Sequence, residues 1–176
     1  MDITEKIIEI IGDDIWQKAV VSTDILAFDK GVREACERNY CGCYGRSWSC
    51  PPGVGEPEKL REKLMKYSTA FVFTTKHSLE DSFDFEGMQK AHRVHNEITD
   101  RLRDVCAEYG ALLLGAGSCR ICEKCTYPDS PCRFPDKALT SIEACGINVM
   151  ELSKAAGINY INGADTVTYF TAVLFN

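Results

Sequence analysis

No apolar run in the sequence is long enough to cross a membrane, and Met1 to Asp14 sets acidic side chains among its isoleucines, so neither a signal peptide nor a membrane helix is expected there. An excess of basic residues is also missing. The chain has 20 Lys and Arg against 26 Asp and Glu, a formal net charge of -6, which argues against a nucleic-acid partner. It has no internal repeat and no low-complexity stretch. What remains is ordinary for a globular protein: 176 residues, 45% hydrophobic and 26% charged, enough for a single domain over 1–176 with a real core.

What the chain has in excess is cysteine: ten in 176 residues. With no secretory signal the expected compartment is the cytoplasm, where thiols stay reduced, so the cysteines point to metal rather than to disulfides. The strongest pattern runs from Cys119 to Cys132. Cys119, Cys122 and Cys125 make two successive C-x-x-C steps, and Cys132 follows beside Pro131. Ferredoxin-type runs use this spacing to bring three thiolates to one iron–sulfur cube, with a later cysteine near proline completing a site. The expected cofactor is a [4Fe–4S] cluster. A four-cysteine zinc site that only staples the loop is the alternative, ahead of disulfides or idle thiols.

A second set precedes it: Cys36, Cys41, Cys43 and Cys50, the last followed by Pro51-Pro52-Gly53. Proline after a ligating cysteine removes a backbone donor and fixes the exit of the chain. Four cysteines suffice for a second centre, but Cys41 and Cys43 have only Gly42 between them, and one of the two is expected to turn away. A redox or structural thiol cluster is the competing reading. Cys106 reads as a buried, inert thiol. Cys145 reads as buried or as approaching a cluster. His92 and His95 stand one helical turn apart, with His95 in an apolar seam; it is a core histidine, or else one that ligates metal or moves a proton. Tyr44 and Trp48 shield a metal loop or pack beneath it. Arg120, Lys124 and Arg133 offset cluster charge or are solvated loop residues.

The rest of the pattern places these loops. Apolar spacing predicts a helix over Ile3 to Ile11, and β-rich composition a first strand in Lys18 to Phe28. A short helix over Gly31 to Asn39 carries Cys36, and Gly and Pro rule out regular structure from Tyr40 to Gly55. Pro57 opens a helix to Tyr67, and Ala70 to Thr75 is a strand. A long helix runs from Phe85 to Tyr109 with start signals at Ser78 and Asp81, and Gly110 ends it. Ala111 to Gly115 is the next strand, so Ala70 to Gly115 reads as a βαβ crossover with parallel strands. Asn148 and Glu151 cap a helix ending at Gly157, Asn162-Gly163 is a tight turn, and Val167 to Phe175, apolar on both faces, is a central strand. The expected fold is α/β: a mixed, mostly parallel sheet of about four or five strands with flanking helices and two cysteine-rich metal-binding loops.

Tyr44-Gly45-Arg46-Ser47-Trp48-Ser49-Cys50-Pro51-Pro52, Gly115-Ala116-Gly117-Ser118-Cys119, Pro131-Cys132-Arg133-Phe134-Pro135 and Ser141-Ile142-Glu143-Ala144 together resemble the predicted metal-binding proteins classed as domain of unknown function 2284. The resemblance runs from about Val32 to the end of the chain. It implies metal or iron–sulfur binding and names no reaction. Two functions fit: electron transfer to a redox partner protein, or an enzyme that offers an open cluster iron to a small-molecule substrate. A zinc-stapled interaction module without catalysis is the rival.

Overall fold

The computed structural model describes residues 1–176. In chain order its elements are α1 (Ile3–Ile11), β1 (Gln17–Ser22), α2 (Lys30–Glu37), α3 (Pro57–Leu64), β2 (Thr69–Ser78), α4 (Phe85–Asp100), α5 (Arg103–Glu108), β3 (Leu112–Gly115), β4 (Thr140–Ser141), α6 (Val149–Ala156) and β5 (Thr166–Phe175). Local chemistry sets several helix ends. α1 opens on a reciprocal cap: the Glu5 N–H donates to Asp2 at 2.9 Å, and the Asp2 N–H donates to Glu5 at 3.0 Å. Pro57 occupies the first turn of α3. Asn148 caps α6, accepting the Glu151 N–H at 3.2 Å, and Gly157 ends it in the left-handed region at φ 69°.

The strand order is β1-β2-β5-β3-β4. β1 pairs with β2, β2 with β5 and β5 with β3, all antiparallel; only β3 and β4 are parallel. The sheet is therefore mixed, as expected, but mostly antiparallel rather than mostly parallel. β2 and β3 do run the same way, because both oppose β5, and α4 and α5 connect them. They are not neighbours. β5 lies between them, which makes the unit a split βαβ. Alternate side chains of β2 and β5 feed two cores. Ala70, Val72, Phe170, Ala172 and Leu174 pack with Leu64 of α3 and Leu152 of α6. Phe71, Phe73 and Val173 pack with Ile3, Ile7 and Ile11 of α1 and with Ile98 and Val105 across α4 and α5. A strand covered on both faces reads as unbroken apolar sequence, which is why β5 announces itself as central.

Two local expectations fail. The helix expected over 85–109 is broken at Arg101 and Leu102, where the Leu102 N–H tightens to the Thr99 carbonyl at 3.0 Å before α5 resumes. The start signals also differ. Ser78 belongs to β2, Asp81 accepts the Phe83 N–H at 2.7 Å in a turn, and Asp84 caps the helix by accepting the Gly87 N–H at 2.8 Å. No helix is long and apolar enough to cross a membrane.

One polar chain crosses the core. His95 is fully buried between two hydroxyls, with Nδ1 2.8 Å from Thr75 Oγ1 and Nε2 2.9 Å from Thr171 Oγ1; Thr75 also meets His77 at 2.9 Å and Thr171 meets Thr99 at 2.9 Å. His95 is thus a satisfied core histidine. Burial, then the nearby His92, depress its pKa to about 3. Because the folded value lies below the unfolded one, this neutral histidine contributes stability that is complete above about pH 6.5 and is lost as pH falls toward 3. Urea unfolding should therefore show stability falling by at most about 1.4 kcal/mol per pH unit below 6.5 from this group, and a His95→Gln variant should lack that component.

Candidate metal centre

Both cysteine sets sit on chain without helix or strand, at residues 38–56 and 116–139, apart from Cys36 in the last turn of α2. The second segment leaves the carboxyl end of β3 and returns as β4, its parallel neighbour. Parallel neighbours need a crossover, usually a helix. Here that crossover has no regular structure to hold it, and loops this long inside a compact fold are ordinarily functional. Its own bonds are local turns and two side-chain ties: the Thr126 hydroxyl donates to the Pro131 carbonyl at 2.9 Å, and Arg133 Nη1 donates to the Lys124 carbonyl at 3.0 Å. At its start, Gly117 has φ +80°, and a Cβ there would meet the His92 ring at 2.8 Å. His92 Nε2 also donates to the Ala116 carbonyl at 2.9 Å, so His92 braces the entry to the loop.

Cys119, Cys122, Cys125 and Cys132 all line one cavity of about 30 Å³, together with Trp48, Ile121 and Phe134. Organic ligands occupy cavities of about 300–1,000 Å³; this one admits only a compact group. Burial raises the Cys125 thiol, but the N–H groups of Tyr127 and Trp48, the Ser47 hydroxyl and the Thr126 N–H outweigh it and hold the thiol below its ordinary value. Donors aimed at a sulfur favour the thiolate, the form that binds metal. An all-sulfur donor set suits zinc or iron–sulfur and disfavours calcium or magnesium. The residues fit a thiolate-held metal by this chemistry, although no three His, Cys, Asp or Glu side chains stand in ligating geometry.

The first set is less regular. Cys50 is buried, Cys36 and Cys43 are half-buried and Cys41 is exposed. Burial and then the charges of Cys41 and Cys50 push up both Cys36 and Cys43. The four thiols thus share one neighbourhood and repel one another when ionised. Of the close pair, Cys41 is the one facing solvent.

The two loops are laced together. Ser47 and Ser49 are buried with their hydroxyls 2.8 Å apart, Ser49 Oγ accepts the Cys119 N–H at 3.0 Å, and it stands 4.0 Å from Cys50 Sγ. Trp48 Nε1 donates to the Ser130 carbonyl at 2.9 Å, and its ring meets Tyr127 edge-on at 4.8 Å. Trp48 therefore both lines the cavity of the second cysteine set and packs the loops against each other. The serines escaped the sequence reading, although their place beside Cys50 was a signal. Arg120 lies 3.8 Å from Asp100. Cys106 and Cys145 are core thiols, each pushed up to about 12 by burial first.

The sequence model for the predicted metal-binding proteins DUF2284 matches residues 19–175. The chain belongs to that family. No curated protein and no solved structure matches it. The DUF2284 match takes in both cysteine sets and nearly all of the sheet, so this is a member of a predicted metal-binding family, and in this chain seven cysteines lie on two loops with Cys36 at the end of α2 beside them.

Proposed function

We propose that this is a cytosolic iron–sulfur protein acting in electron transfer, with a [4Fe–4S] cluster on Cys119, Cys122, Cys125 and Cys132 and a second on the set Cys36, Cys41, Cys43 and Cys50. The observation that carries the reading is that all four second-set cysteines line one 30 Å³ cavity. Such a cluster, when bound, supplies a one-electron couple whose potential depends on hydrogen bonds to sulfur and on solvent exposure. The chain's own residues suit both controls. Ser47 and the backbone N–H groups near Cys125 offer donors to sulfur, and the apolar side chains of Trp48, Ile121 and Phe134 line the same cavity. Arg120, Lys124 and Arg133 lie beside the second set in sequence and offset thiolate charge. The partner is a redox protein; neither nucleic acid nor a membrane is part of the proposal.

A catalytic reading has one observation in its favour. A larger cavity of about 380 Å³ shares Trp48 and Ala138 with the sulfur-lined one and is floored by Leu60, Leu64, Leu113 and Leu139, with Lys63 among its lining residues. It has room for a small-molecule substrate beside the centre. A zinc staple without redox chemistry is the remaining alternative.

Counting iron, sulfide and zinc per chain after anaerobic purification separates these readings. The expected protein is brown, with about four irons and four sulfides at the second set and total iron approaching about eight. A colourless protein holding one tight zinc and no sulfide would remove the iron–sulfur proposal, since zinc has a full d shell.

A further inference from the structure

Asn96 is fully buried in the second half of α4, and neither Nδ2 nor Oδ1 of its carboxamide has a hydrogen-bond partner. A buried donor and acceptor both left unpaired is rare in folded proteins and calls for a specific explanation. The sheet beneath does not supply it. Thr75, Thr99 and Thr171 are already joined to one another through His95 or directly.

The helix neighbours of Asn96 locate what it faces. Residues three and four apart share a helix face. His92, four residues before, donates to the Ala116 carbonyl at 2.9 Å and abuts Gly117. Thr99, three residues after, approaches the Gly115 position at 3.7 Å. Asp100, four residues after, stands 3.8 Å from Arg120. All three therefore meet the chain between Gly115 and Arg120, and Asn96 lies in their midst. Asn96 thus shares the helix face that meets the segment presenting Cys119.

We propose that Asn96 is a positioning residue for the second cysteine set, its carboxamide engaging the Gly117–Cys119 segment in the metal-loaded protein. This rests on the reading that the second set binds metal, not on whether the metal is iron or zinc. In the loaded protein the backbone of the segment meets an amide that has one donor side and one acceptor side to offer. Outer groups that hold ligands in this way typically contribute about 10–100-fold to metal affinity.

The test is Asn96→Leu, which keeps the branched shape and removes both polar atoms. Release of metal to a chelator, followed as iron or zinc according to what the wild type carries, should accelerate by about 10–100-fold. The metal-free variant should melt at the wild-type temperature or above it, because an unpaired buried pair has been removed. These opposite effects on the loaded and metal-free forms are the signature of the proposal. An Asn96→Gln variant, which restores the amide on a longer stem, should release metal more slowly than N96L. Unchanged release from N96L, an equal loss of stability in both forms, or failure of the metal-free variant to fold would each overturn it in favour of a structural role, such as bridging through a buried water. A wild-type protein that binds no metal would remove the metal reading itself, and would be seen before any variant is made.

Discussion

Serine at Cys125 should empty the second metal site, whereas serine at Cys106 should leave metal content at the wild-type level. Cys125 is the thiol whose surroundings do most to favour the thiolate, through Ser47 and three backbone N–H groups set against its burial. Cys106 is pushed the other way, up to about 12, by burial in the core under α5. The expected consequence extends beyond metal content. Residues 116–139 form a crossover with no helix or strand, so metal bound there should be linked to the order of that segment. Thiolate sites of this kind contribute on the order of 10 kcal/mol of apparent binding free energy, drawn on by folding. Limited proteolysis should therefore cut Cys125→Ser between Ala116 and Leu139 while the sheet survives. Equal metal loss from C125S, C122S and C106S would show that the cysteines are wrongly grouped.

Alanine at Gly53 should separate the two cysteine loops. A Cβ at this position would lie 2.6 Å from the Ser47 carbonyl oxygen and 2.8 Å from the Tyr127 ring. The carbonyl belongs to backbone and cannot rotate away, and Tyr127 is wedged against Trp48. Overpacking of this type costs about 1–3 kcal/mol, here concentrated at the point where the loops meet. Trp48 fluorescence should shift to the red as its ring gains water, and both sets should bind metal more weakly. Gly12→Ala is the control. Gly12 has ordinary helical angles at the end of α1, and a Cβ there meets only an Ile8 methyl at 3.3 Å. An unshifted Trp48 spectrum in G53A, or an equal shift in G12A, would dismiss the loop junction as the cause.

The sequence carries what local chemistry encodes. The cap on Asn148, the stop at Gly157 and the two-sided apolar run of β5 all mark their elements without reference to the rest of the chain. The cysteine spacing likewise leads to the 30 Å³ cavity, since C-x-x-C steps keep their sulfurs close in any loop. Pairing partners are different. Nothing within Ala70 to Gly115 records that β5, made of residues far downstream, enters between β2 and β3, so a connection that looks like a parallel pair becomes two antiparallel ones. The break at Arg101 has neither glycine nor proline to signal it. β4, with two residues, is too short to carry a pattern. Ser47, Ser49 and Asn96 are single polar residues whose importance comes from burial, which only the folded chain confers.

The strand at the middle of the sheet follows both cysteine loops along the chain. Both cysteine loops leave the ribosome well before Thr166 to Phe175, yet β2 and β3 meet no common partner until that segment arrives. A nascent chain thus presents eight loop and helix-end thiols on an unfinished scaffold, with the two sets not yet held at a fixed distance. Metal delivered during translation would find flexible thiols able to pair in the wrong combinations. A fixed spacing between the two sets therefore depends on β5 having entered between β2 and β3.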